Sequence, residues 1–150
     1  MPLVSVLIPA FNHERFVRRC LDSVLEDPYP AKEIVIIDDG SSDRTGDEIA
    51  DWIAAHGHEL RVEYVSRENR GIAATLNELA ARARGEFLRL GASDDYLLPG
   101  GLDALVRYLL LVYLFTASFG LIGAMYAFAV NYLLYLAFNV IVARRYLGVS

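Results

Sequence analysis

Cysteine is almost absent from this sequence. Cys20 is the only one, so no intrachain disulfide can form and a reducing compartment is the natural setting. It falls on the apolar stripe of a predicted helix, where a buried and inert thiol is the expected role. Acid is absent from the last third, since all 19 Asp and Glu lie at or before Asp103. Residues 1–105 carry 11 Lys and Arg against those 19 acids, a net of −8, whereas 106–150 carry only Arg107, Arg144 and Arg145, a net of +3. The 150 residues therefore read as two unlike pieces. No basic stripe runs along the acidic piece, which argues against a nucleic-acid partner. No charged segment leading into a short apolar run opens the sequence, so the front piece is expected in the cytoplasm. A Gly-rich phosphate loop bearing Lys or Arg is also missing after the first apolar run. Pro9-Ala10-Phe11-Asn12 stands there instead, which disfavours a nucleotidyltransferase.

What is present is organised around Glu33-Ile34-Val35-Ile36-Ile37-Asp38-Asp39-Gly40-Ser41-Ser42-Asp43. Four consecutive β-branched residues predict a strand buried on both faces, and it ends in two carboxylates, a glycine and two hydroxyls. In an open α/β sheet, ligands bind outside the carboxyl ends of the strands, so Asp38 and Asp39 stand where a ligand would be met.

The other elements frame that edge. Leu3–Ile8 predicts a first strand stopped by Pro9, with Asn12 capping a helix over His13–Glu26. A second helix around Ile49, Trp52 and Ile53 is capped by Ser42 or Asp43, and Arg61–Val65 alternates as a third strand with one covered face. Ile72, Leu76, Leu79, Ala80 and Ala83 mark a third helix that Gly85 stops, and Glu86–Leu90 is a fourth strand running into Ser93-Asp94-Asp95. The order β-α-β-α-β-α-β with short connections predicts a Rossmann-like, largely parallel α/β sheet. A parallel sheet would bring Asp39 and Asp95 to the same edge. His56-Gly57-His58 has no third ligand nearby and is read as a surface loop, while Arg67 and Arg70 are read as either phosphate contacts or helix-start surface residues.

Five motifs occur together in order: Val4–Asn12, Asp38–Asp43, Glu68-Asn69-Arg70-Gly71 followed by Asn77, Ala83–Glu86, and Ser93-Asp94-Asp95. In this order and spacing, residues 2–106 resemble family 2 glycosyltransferases. The resemblance implies the nucleotide-diphosphosugar-binding fold called GT-A, incomplete here, and a transferase moving a sugar from a nucleotide-sugar donor in cell-envelope polysaccharide or glycolipid synthesis. It implies that Pro9 and Phe11 flank the base, that Asp39 accepts a hydrogen bond from it, that Asn69 lines the donor site and that Asp94 faces the ribose. Asp95 would hold a divalent cation, Mn²⁺ or Mg²⁺, against the two phosphates. Hard oxygen ligands suit such an ion. One departure stands out: many relatives place an Asp two positions before Asp94, where this chain has Ala92. In the family, the second half supplies the acceptor site and a carboxylate base. No acid follows Asp103, so weak donor binding and poor transfer are expected. The rival reading is a non-catalytic membrane component, a pseudoenzyme or a flippase-like fragment.

From Tyr108 to Ala143 the sequence carries no charge. As one helix these residues would span about 54 Å at 1.5 Å per residue, well beyond the roughly 30 Å of a bilayer core. Two short spans are expected instead, broken near Ser118–Gly123. Basic residues at both ends, Arg107 and Arg144-Arg145, predict a hairpin with both ends cytosolic. The expected organisation is thus a donor-binding domain over 1–106, a transmembrane segment over 107–145 and a tail over 146–150. Asn131 and Asn139 within the second span suggest a partner membrane protein, or a complete transferase, as neighbour.

Overall fold

The computed structural model describes the backbone of residues 1–147, and side chains through residue 120 and at several positions as far as Tyr132. The expectations placed on Asn131, Asn139, Arg144, Arg145 and residues 148–150 fall outside the described residues.

Four strands, β1 (Val4–Ala10), β2 (Lys32–Asp38), β3 (Arg61–Ser66) and β4 (Phe87–Leu90), alternate with helices α1 (Val17–Glu26), α2 (Thr45–His56) and α3 (Ile72–Arg82). All pairings are parallel, in the order β3-β2-β1-β4. Successive residues of a strand point to opposite faces. One face of the central strands therefore gives Leu7, Val35 and Ile37 to a core with Leu79 of α3, and Val65, Leu76 and Ala83 pack around it. Val6, Ile8, Ile34 and Ile36 alternate with these and are equally buried, as are Val17, Leu21, Ile49 and Trp52 of α1 and α2. Burial of β2 on both faces explains why its sequence shows no polar alternation.

Register fixes where the site lies. Ala10 is paired with Asp38 and Leu7 with Leu90, so β1, β2 and β4 deliver their following loops to one edge. Gly40 lets the loop after β2 approach the loop after β3. It has φ 79°, and a Cβ there would lie 2.7 Å from the backbone nitrogen of Asn69.

Two local expectations are corrected. Pro9 does not stop the first strand but lies within it, paired with Ile37. Pairing of β1 with β4 covers only Val4–Leu7, so at Pro9 that side of the strand requires no N–H donor. Asn12 does not cap a helix at His13. It adopts φ 55° and accepts hydrogen bonds from the Ser42 amide (2.8 Å) and hydroxyl, and α1 begins only at Val17.

The chain divides into two compact units, Met1–Asp103 and Ala104–Ser150. The second takes in α4 (Gly101–Leu147) from Ala104 onward, and this helix breaks at Gly120 (φ 60°, ψ −145°) inside the stretch expected to loosen. That backbone region is open essentially to glycine alone. Past the break, Gly123 lies so close to the Phe115 carbonyl that a Cβ would not fit. Gly101–Gly120 is long and apolar enough, by length and composition, to cross a membrane.

Candidate functional site

At the carboxyl edge of the sheet, Asp38 and Asp39 are both buried but do different things. Asp38 Oδ1 accepts hydrogen bonds from the Ser41 amide (3.0 Å) and hydroxyl (2.5 Å), closing the turn after β2. Asp43 does similar work for α2, accepting from the Thr45 amide (2.9 Å) and hydroxyl, and it also accepts from the Glu14 amide. These two acids close turns; the cap position of α2 is Arg44, with no side-chain cap bond, and not the expected Ser42 or Asp43. Asp39 instead accepts from the guanidinium of Arg67 and from the Arg70 amide (2.9 Å). Burial alone would raise its pKa. The Arg70 amide, the Thr75 hydroxyl and the Arg67 charge outweigh that and hold the carboxyl below the usual range, so it is an anion at neutral pH.

Arg67 is neither a surface residue nor a free phosphate ligand. Its side chain is 10% exposed and also bonds Glu78 (3.1 Å) and Thr75 (3.0 Å). Arg67 therefore fixes Asp39 against the start of α3.

Pro9, Phe11, Asp39 and Asn69 line one cavity of about 330 Å³ with Ile72, Thr75 and Ala92. Four of the predicted site residues are thus brought together from three loops. Phe11 and Ile72 are exposed at 46% and 61%, giving the cavity an apolar rim. The Asn69 side chain accepts from the Gly71 amide (3.0 Å), shaping the turn into α3.

Asp94 and Asp95 follow β4 in a turn closed by the Asp95 amide on the Ala92 carbonyl (3.1 Å), and both are exposed. They do not line the cavity around Asp39. Asp95 borders a second cavity, about 280 Å³, with Cys20, Arg89 and Tyr96, and Ala92 is common to the two. The Cys20 thiol meets the Ala92 carbonyl at 3.4 Å, and burial, then Asp95 and Asp94, push it up to about 12. It is inert, as expected of a packed thiol.

His13 is a site residue that sequence reasoning missed. It lines the Asp39 cavity, and its Nδ1 lies 2.7 Å from Ser93 Oγ and 3.9 Å from Asp94 Oδ1. Nothing in its sequence neighbourhood marks it, because both partners lie in the loop after β4. His56 by contrast ends α2, packs on Trp52 and pairs with Glu59 at 2.8 Å, a structural role.

Among the described residues no three His, Cys, Asp or Glu side chains form a metal-binding group. One or two carboxylates on an open loop are still a sufficient donor set for a cation that takes its other ligands from phosphate and water.

The profile of Glycosyl transferase family 2 matches residues 5–111. A chondroitin synthase of Pasteurella multocida (strain Pm70) is 36% identical over 107 residues, which are 71% of this chain and 11% of that protein. The putative glycosyltransferase EpsH of Bacillus subtilis (strain 168) is 35% identical over 106 residues, 71% of this chain and 30% of that protein. The chain thus spans less than a third of the length of either relative. Two solved structures share the fold. The mannosyltransferase PcManGT of Pyrobaculum calidifontis, in complex with GDP-Man and Mn²⁺, has a TM-score of 0.64 and 30% identity over 72% of this chain and 31% of that one. S. aureus TarS 1–349 in complex with UDP-GlcNAc has a TM-score of 0.64 and 25% identity, over 71% of this chain and 31% of that one.

Proposed function

Since the chain belongs to Glycosyl transferase family 2, we propose that its front unit binds a nucleotide-diphosphosugar and holds it for sugar transfer in cell-envelope polysaccharide or glycolipid synthesis. The observation that carries this reading is the cavity at the carboxyl edge, where Pro9, Phe11, Asp39 and Asn69 meet. Its apolar rim suits a planar base, which Pro9 and Phe11 flank. An ionised Asp39 is an acceptor only, so it selects a base edge that donates an N–H. Asp94 faces the ribose and Asp95 the diphosphate.

GDP-Man with Mn²⁺ in PcManGT and UDP-GlcNAc in TarS support the same donor class and a divalent cation for this chain. Asp95 would hold that cation, Mn²⁺ or Mg²⁺, which when bound supplies charge stabilisation for the departing nucleoside diphosphate. With Ala92 in place of a further acid, most of the coordination falls to phosphate and water. No Asp or Glu follows Asp103, so the residues after it provide no carboxylate base for an acceptor hydroxyl. Donor binding is the activity proposed for these residues, and acceptor activation would come from a carboxylate outside them, such as that of a partner chain or complete transferase. The apolar helix Gly101–Gly120 and the break that ends it support attachment to a membrane as a hairpin, and the basic residues at both ends of the run, Arg107 and Arg144-Arg145, would keep the front unit on the cytoplasmic side.

Calorimetric titration of the detergent-solubilised chain with UDP and GDP, with and without Mn²⁺, tests this reading. Binding that strengthens with Mn²⁺ and loses that gain in Asp95→Ala is expected. No binding of either nucleotide under any condition would overturn it.

A further inference from the structure

We infer that His13 is a positioning residue that aligns the Asp94–Asp95 turn with the base-binding cavity; this rests on the donor-site reading. Its backbone belongs to the β1–α1 loop, where the His13 amide donates to Thr45 Oγ1 (2.8 Å) and its carbonyl receives the amides of Phe16 and Val17 (3.0 Å each). With Asn12 held by Ser41 and Ser42, this loop is braced on the loop that follows β2. The His13 ring then reaches the third loop. Ser93 is fully buried, and a buried hydroxyl needs a partner; His13 Nδ1 supplies one at 2.7 Å.

Other ties to this segment lie on either side of the acids: Cys20 on the Ala92 carbonyl, and Ser23 Oγ accepting from the Leu97 amide at 2.8 Å. The hydrogen bond from His13 falls on Ser93, just before Asp94, and the same ring nitrogen lies 3.9 Å from Asp94 Oδ1. The ring also lines the cavity that holds Asp39, and Phe16 meets it edge-on at 6.2 Å. One side chain therefore borders the base cavity and restrains the turn that carries the two exposed acids. Carboxylates that hold a metal are set by the hydrogen bonds behind them, and loss of such an outer partner costs about 10–100-fold in affinity.

The test compares UDP titrations of the full chain with and without Mn²⁺ in wild type, His13→Ala, His13→Asn and Ser93→Ala. In His13→Ala the Mn²⁺-dependent gain in affinity is expected to fall by about tenfold, a larger loss than any in metal-free UDP affinity, since the ring also borders the cavity. Ser93→Ala should reproduce that loss, and His13→Asn, whose amide can still reach the Ser93 hydroxyl, should restore most of the gain. A full gain in both His13→Ala and Ser93→Ala, an equal loss with and without metal, or no rescue by asparagine would overturn the assignment. No binding of UDP or GDP to the wild type under any condition would instead remove the donor-site reading, and this inference with it; binding without any Mn²⁺-dependent gain would overturn this inference alone.

Discussion

A carboxylate at the end of a buried strand can close a turn, hold an arginine or meet a ligand, and the pair Asp38–Asp39 divides these tasks between neighbours. Asp38 spends its oxygen on Ser41, while Asp39 is committed to Arg67 and faces the cavity. Asp39→Asn keeps the shape but leaves a largely buried guanidinium without its charge partner. Because Glu78 still pairs with Arg67, the expected destabilisation is about 3 kcal/mol, at the low end for a broken buried pair. A urea midpoint equal to that of the wild type would show that Arg67 does not depend on Asp39. The acidic motif was visible in the sequence; its arginine was not. Arg67 lies 28 positions away and, read linearly, looks like any arginine at a helix start. His13 escaped for the same reason, since only the fold brings it to Ser93.

At the scale of elements, the sequence was most legible where one physical requirement dominated. A strand covered on both faces must be apolar throughout, and Ile34–Ile37 satisfied that alone. It misled where a residue's ordinary preference was overruled by its surroundings. Pro9 sits within β1 because β4 has already ended beside it, and Asn12 gave up capping to tie two loops together. Gly120 belongs to the legible class: glycine was expected to interrupt the long apolar run, and the helix breaks there in a conformation other residues avoid. Gly120→Leu should therefore favour one continuous helix. If the segment forms a membrane hairpin, a C-terminal tag protected from outside labelling in the wild type becomes accessible in the variant. A tag accessible in both would contradict the hairpin.

For the molecule as a whole, the buried acids set the response to pH. Burial would raise the Glu33 pKa, but Ser5, the Arg84 amide and Arg61 outweigh it and hold the carboxyl below its usual range, as other partners do for Asp39 and Asp43. Groups with depressed folded pKa values stabilise fully above their unfolded values and lose that contribution as pH falls through the folded ones. The melting temperature of the front unit should be flat from neutral to about pH 5 and fall between about pH 4 and 2. Glu33→Gln should flatten the acid limb; an unchanged slope would assign the effect elsewhere. The sheet order has one more consequence. β1 is an inner strand, flanked by β2 on one side and by β4 on the other, with Val4 in register with Phe87. The first strand of this unit in sequence is therefore among the last to be completed. Its second edge stays open until residue 90 has been made, so β1 keeps an unfilled pairing edge for as long as β4 is missing.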